Sequence, residues 1–192
     1  TATPGGLVEF PKNIVVDFGT ECTLRGYTGK GSVSFTLNQW IFIPGTVIVP
    51  QFHDFYVNGY KIEGDYTITT VSATAFKVDI IDGIITFPDG TVFHQKGALD
   101  YTQTKGDDTP FVFGDDTYAI TGDIASTSAL GNIDGTITSP LIKEVACNNI
   151  TAGVIDFKMA FSTATLDFGD GTCDNKGIVK IGPLSFPVTL PL

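Results

Sequence analysis

Phe55-Tyr56-Val57-Asn58-Gly59-Tyr60-Lys61-Ile62-Glu63-Gly64 places an apolar, alternating run on either side of an Asn-Gly pair. Asn-Gly accepts the positive φ that a type I′ turn requires at both central positions, and that turn carries the twist of paired strands. The stretch therefore reads as a β-hairpin. Asp82-Gly83, Asp89-Gly90, Asp134-Gly135 and Asp170-Gly171 repeat the same turn chemistry. Together the five dipeptides predict a meander rather than a fold of long loops.

Working outward, strand signals fill the chain and helical periodicity does not, because Gly, Pro, Asn and Asp interrupt nearly every apolar run. Alternating or β-branched stretches occur at Asn13 to Phe18, Ser32 to Leu37, Ile41 to Val49, Tyr66 to Val71, Phe76 to Ile81 and Ile84 to Phe87. They continue at Ala98 to Tyr101, Tyr118 to Ile124, Gly135 to Thr138, Val154 to Phe157, Thr163 to Phe168 and Gly177 to Ile181. The expected fold is all-β, an antiparallel meander of repeated hairpins forming an extended or sandwich-like sheet. A weak repeat overlies it: Asp17-Phe18-Gly19, Cys22 and Lys30-Gly31-Ser32-Val33 match Asp167-Phe168-Gly169, Cys173 and Lys176-Gly177-Ile178-Val179. Looser copies are Glu63-Gly64-Asp65-Tyr66 and Lys96-Gly97-Ala98-Leu99, each read as the start of a strand. The Asp-Phe-Gly triplets are read as turns that end a buried strand, with Phe18 and Phe168 inward.

A hydrophobic share of 42% against 17% charged residues in 192 residues excludes intrinsic disorder, and 15 Phe with 6 Tyr favour strands. The formal charge of −10 opposes nucleic acid and anionic membrane surfaces, which are neutralised by clustered Lys and Arg. No apolar run is long enough for a spanning helix. Residues 1–10 read as an N-terminal tether and 11–192 as a single all-β domain, with an exposed internal loop near 105–109. The chain reads as a mature or trimmed form.

The segments Tyr56 to Gly64 (YVNGYKIEG), Ile85 to Thr91 (ITFPDGT) and Leu166 to Asn175 (LDFGDGTCDN) resemble recurring motifs of an uncharacterised family of lipoproteins exported by Bacteroidetes. The likeness runs from about Pro11 to about Ile181. It implies export to the outer membrane, cell surface or periplasm, a protein partner in the cell envelope, and membrane attachment only through an upstream lipid anchor. It carries no catalytic residue across.

Candidate chemistry is sparse. Cys147 precedes one strand signal and Cys173 lies in the turn after the next one, so antiparallel neighbours bring them within disulfide reach if the registers match; a bridge to Cys22 is the rival. Asp167, Asp170 and Asp174 crowd one turn and form a weak calcium candidate, although their spacing does not match the D-x-[DN]-x-[DN]-G loop. His53 and His94 are isolated within strand patterns, and no nucleophile elbow or phosphate loop occurs. No enzymatic activity, cofactor or metal is expected. Trp40, Phe52, Tyr56 and Tyr60, with Phe42 and Phe55 beside them, form a candidate ligand surface. The expected function is a non-catalytic envelope or surface domain acting by binding or assembly, a lipoprotein or accessory subunit of an outer-membrane complex. The alternative is a carbohydrate-active protein, either a glycan-binding module or a glycoside hydrolase.

Overall fold

The computed structural model describes residues 9–24, 26–109, 112, 114–129 and 131–190. Residues 1–8 of the expected tether lie outside them. The strands are β1 (Lys12–Leu24), β2 (Tyr27–Leu37), β3 (Val47–Ile48), β4 (Gln51–Val57), β5 (Tyr60–Ser72), β6 (Ala75–Thr86) and β7 (Val92–Lys105), followed by β8 (Thr117–Ser128), β9 (Gly131–Glu144), β10 (Ala152–Met159), β11 (Thr163–Asp170), β12 (Lys176–Ile181) and β13 (Leu184–Thr189). Their order in the sheet is their order in the chain, except that β3 leaves the path to pair with β5. The protein is thus an all-β antiparallel meander whose strands follow one continuous hydrogen-bonded path.

The chain divides into two compact units, residues 1–96 and 97–192, with the boundary inside β7. The loop expected near 105–109 begins where β7 ends.

Asn58 and Gly59 form the predicted hairpin turn between β4 and β5, with φ of 50° and 84°. Asn58 also continues the ladder sideways: its Oδ1 accepts from the Thr28 amide at 2.8 Å and its own amide donates to the Thr28 carbonyl at 2.8 Å. Two other dipeptides are corrected by the structure. Asp82-Gly83 lies inside β6 opposite Asp65 and Gly64, and Asp134-Gly135 lies inside β9. Two expected strands, Phe76 to Ile81 and Ile84 to Phe87, are consequently one, apart from Phe87 itself. Conversely, Ile41 to Val49 is mostly a loop, with only Val47 and Ile48 in β3. Strand β13 was absent from the sequence expectation, and β4 entered it only through Phe55 to Val57, the first arm of the Asn58-Gly59 hairpin.

Of the glycines read as strand starts, Gly64 and Gly97 lie inside long strands, as does Gly31, whereas Gly177 stands at the beginning of the short β12. Gly31 in β2 has φ 80° and sits where the β2–β4 register shifts; Gly64 in β5 has φ 100°, next to the shift between Asp65 and Tyr66. Each stands against a β-bulge of the partner strand, in β4 and in β6, and bulges bend a strand and pin its register. A Cβ on Gly31 would lie 2.0 Å from the Asp54 carbonyl oxygen, and one on Gly64 would lie 1.9 Å from that of Asp82. Gly97 and Gly153 repeat the arrangement in the second unit. The Asp-Phe-Gly triplet at 17–19 is also a bulge rather than a chain reversal: β1 continues through it, and the Gly19 amide donates to Asp17 Oδ1 at 2.8 Å. Asp167 and Gly169 make the same contact at 3.0 Å near the end of β11. Phe18 and Phe168 are half-buried rather than fully enclosed.

Side chains at paired positions share a face. In the first unit Ile14, Val16, Val33, Phe35 and Phe52 fall on one face, while Asn13, Val15, Ser34, Thr36 and Gln51 fall on the other. The apolar face is finished by rings lying over glycines: Phe18 packs on Gly29 and Tyr66 on Gly83, and Phe157 does the same on Gly135 in the second unit. An aromatic ring over a bare Gly restores the burial that the missing side chain forfeits. Among the described residues the buried apolar side chains within strands are Leu37, Ile80, Ile120 and Leu141, with Pro50 and Cys147 buried in connections, so most strand apolar groups are partly exposed.

Candidate functional site

Between β2 and β3 the sequence Gln39-Trp40-Ile41-Phe42-Ile43-Pro44-Gly45-Thr46 leaves the sheet as a loop. Its backbone is held from beneath. The Thr46 hydroxyl lies 2.8 Å from both the Trp40 and Ile43 carbonyls and accepts from Gln39 Nε2 at 2.9 Å. The Gly45 amide donates to the Thr70 carbonyl at 2.8 Å, the Thr70 amide donates to the Thr46 carbonyl at 2.9 Å, and the Thr70 hydroxyl donates to the Ile41 carbonyl. Thr46 and Thr70 are only 2% and 8% exposed. Buried hydroxyls satisfied in this way fix a loop more firmly than contacts at its surface, because breaking one strands a polar group away from water.

What the loop presents outward is apolar. Ile41 is 51% and Phe42 57% exposed, with Ile43, Val47 and Val49 also open to solvent. The Trp40 and Phe42 rings stack with centroids 6.0 Å apart and planes inclined by 6°, while Phe10 meets Trp40 edge-on at 5.3 Å. Lys12 Nζ stands 5.3 Å from the Phe10 ring and 5.9 Å from that of Trp40. An aromatic ledge on a rigid loop loses little conformational entropy when a partner covers it.

The structure does not gather the four aromatic residues expected to form one ligand surface. Trp40 belongs to this loop, Phe52 packs with Phe55 and Tyr66, Tyr56 lies under Lys30 Nζ at 4.9 Å, and Tyr60 packs against Phe87. Tyr56 pairs with Lys61 and Tyr60 with Val57, which puts the two tyrosines on opposite faces of the sheet. The exposed Ile41 and Ile43 were read as strand residues, and their role as loop residues was missed. Pro44-Gly45 within the apolar run was the signal available.

Asp167, Asp170 and Asp174 do not converge. Each serves its own short turn: Asp167 accepts from Gly169, Asp170 from the Thr172 amide and hydroxyl at 3.2 and 2.8 Å, and Asp174 from Lys176 at 3.0 Å. The Thr172 hydroxyl, then its amide, holds the Asp170 carboxyl below the usual carboxylate range. Among the described residues no three His, Cys, Asp or Glu side chains cluster as metal ligands do. Cys147 and Cys173 form a disulfide with Cα atoms 5.8 Å apart, and Cys22 is a free, exposed thiol in β1. His53, in β4, pairs its Nε2 with the Ser34 hydroxyl at 2.9 Å.

Comparison with protein-family models, curated proteins and solved structures produces no match.

The pinning of the loop has a measurable consequence. Thr46→Val removes the hydroxyl, leaving the Gln39 amide without its acceptor and the Trp40 and Ile43 carbonyls with only their backbone donors, Ile43 and Thr46. Expected is a loss of about 1–3 kcal/mol in unfolding free energy, with altered emission from Trp40, the one tryptophan of the chain. Unchanged stability and emission would show that the buried hydroxyl does not hold the loop.

Proposed function

We propose that this chain is a non-catalytic, exported cell-envelope or surface domain that works by binding or assembling with a protein partner, as a lipoprotein or an accessory subunit of an outer-membrane complex. The observation that supports it best is the loop of Trp40 to Thr46, where large apolar groups are held outward by buried threonines. Exposed apolar groups are common singly, but a contiguous set on a rigid base is what a protein interface uses as an anchor. The disulfide favours an oxidising compartment. The envelope location and the lipid anchor rest on the resemblance carried by Tyr56 to Gly64, Ile85 to Thr91 and Leu166 to Asn175.

The test is cross-linking and co-purification from solubilised cell envelopes, run in parallel with wild type and Phe42→Asp. A defined partner recovered with wild type and reduced at least about tenfold by the charge placed on the ledge is the expected outcome. Recovery of the same partner by both proteins, or of none by either, would reject the loop as the anchor.

A further inference from the structure

We propose that a groove on the polar face of the first unit binds a neutral oligosaccharide. The groove has a volume of about 500 Å³, inside the usual range for small-ligand sites of roughly 300–1,000 Å³. Its floor consists of cross-strand rows on β1, β2 and β4: Asn13 opposite Thr36, and Val15 opposite Ser34 opposite Gln51. Val47 and Val49, both exposed, add an apolar wall from the segment around β3.

Three features choose the ligand class. None of the 10 residues lining the groove carries a formal charge, in a chain with 21 acidic and 11 basic residues. The lining therefore offers no counter-charge for an anion or a cation, and hydrogen bonding must supply the specificity. The donors and acceptors are those suited to hydroxyl groups. Thr36 Oγ1 donates to Asn13 Oδ1 at 2.9 Å, which orients the amide so that its N–H pair remains to donate. Ser34, whose hydroxyl pairs with His53 Nε2 at 2.9 Å, and Gln51, whose Nε2 donates to the Pro50 carbonyl at 3.2 Å and whose Oε1 remains to accept, stand beside each other in the next row.

The third feature concerns the backbone. β2, which carries the middle of the groove, is flanked by β1 and β4, so its main chain is already paired; β1 ends the sheet, and its open edge points along the plane of the sheet rather than onto this face. An extended peptide binds a sheet chiefly by adding main-chain bonds at a free edge. On this face only side-chain amides and hydroxyls are offered, which suits a ligand carrying hydroxyls along its length and apolar C–H faces against Val47 and Val49.

The groove is a different surface from the Phe42 ledge, and the inference stands apart from the assembly reading: one is judged by titration of the purified protein, the other by partner recovery. The experiment is isothermal titration of the full chain with neutral hexasaccharides of glucose, mannose, galactose and xylose, beside an oligogalacturonate of similar length. At least one neutral hexasaccharide is expected to bind. Asn13→Ala and Gln51→Ala, at exposed positions, should each weaken it about tenfold while leaving the melting temperature in place. Val49→Asp should weaken it as well. Silence from all the neutral sugars, preference for the oligogalacturonate, or binding untouched by all three substitutions would overturn the proposal.

Discussion

Gly31→Ala is expected to destabilise the protein by roughly 3–5 kcal/mol, measured as a fall in the urea midpoint. Two costs combine. Residues other than glycine pay about 1–3 kcal/mol to hold a sparsely populated backbone conformation, and Gly31 has φ 80°. The added methyl also has no space, since it would sit 2.0 Å from the Asp54 carbonyl oxygen. That neighbour is backbone, in the register shift of β4 opposite Gly31, and cannot rotate away as a side chain would. Moving it means opening the β2–β4 bulge, and overpacking of this kind costs about 1–3 kcal/mol more. Gly64→Ala, facing the Asp82 carbonyl at 1.9 Å, should behave alike. Gly19 supplies the control, because its φ is also positive at 64° but a Cβ there meets nothing within 4 Å. Gly19→Ala should lose only about 1–2 kcal/mol. Equal losses at Gly19 and Gly31 would mean that the close approach of the carbonyl contributes nothing.

Replacing Cys147 and Cys173 together by Ala should remove about 3.5 kcal/mol, the loop-closure entropy released when a cross-link between residues 26 apart is lost. The bridge ties the segment between β9 and β10 to the one between β11 and β12, so four strands share its constraint. Cys147 is 2% exposed and Lys143 Nζ donates to its carbonyl, so the local backbone is already enclosed before the sulfur is counted. Cys22→Ser should change stability little, for Cys22 is exposed. Non-reducing peptide mapping checks the pairing directly: a peptide joining Cys22 to either partner would contradict it, as would a double variant as stable as wild type.

The all-β meander was legible because turn chemistry is local. Asn58-Gly59 needs no distant residue to become a hairpin, and the strand pattern around it is set by alternation alone. Asp82-Gly83 carries the same chemistry but became strand, because Gly64 and Asp65 stand opposite and the bend is taken by the bulge at Ile81 of β6, between the Asp65 and Tyr66 pairs. A bulge is a property of two strands in register, and register is not visible in one stretch of sequence. The spaced Lys-Gly and Glu-Gly pairs were visible, while their meaning as mid-strand bends was not. The disulfide was readable for a similar local reason: each cysteine falls in a connection beside neighbouring strands of a meander. The loop of Trp40 to Thr46 was hidden because Ile41, Phe42 and Ile43 have strand propensity. What overrides it is Thr70, far along the chain, whose hydroxyl and backbone hold the loop open. The groove escaped notice because its rows join residues from three strands, none of them unusual alone.

The chain-order arrangement of the strands also bears on how quickly the molecule forms. Apart from the short β3, each strand finds its partner in the preceding or following one, so most connections close across a few residues and the entropy surrendered at each closure is small. Antiparallel proteins usually fold slowly because distant segments must meet before any contact rewards them. Here a nucleus at Asn58-Gly59 can grow by annealing one neighbour at a time, and the ribosome can release each hairpin as soon as its second strand emerges.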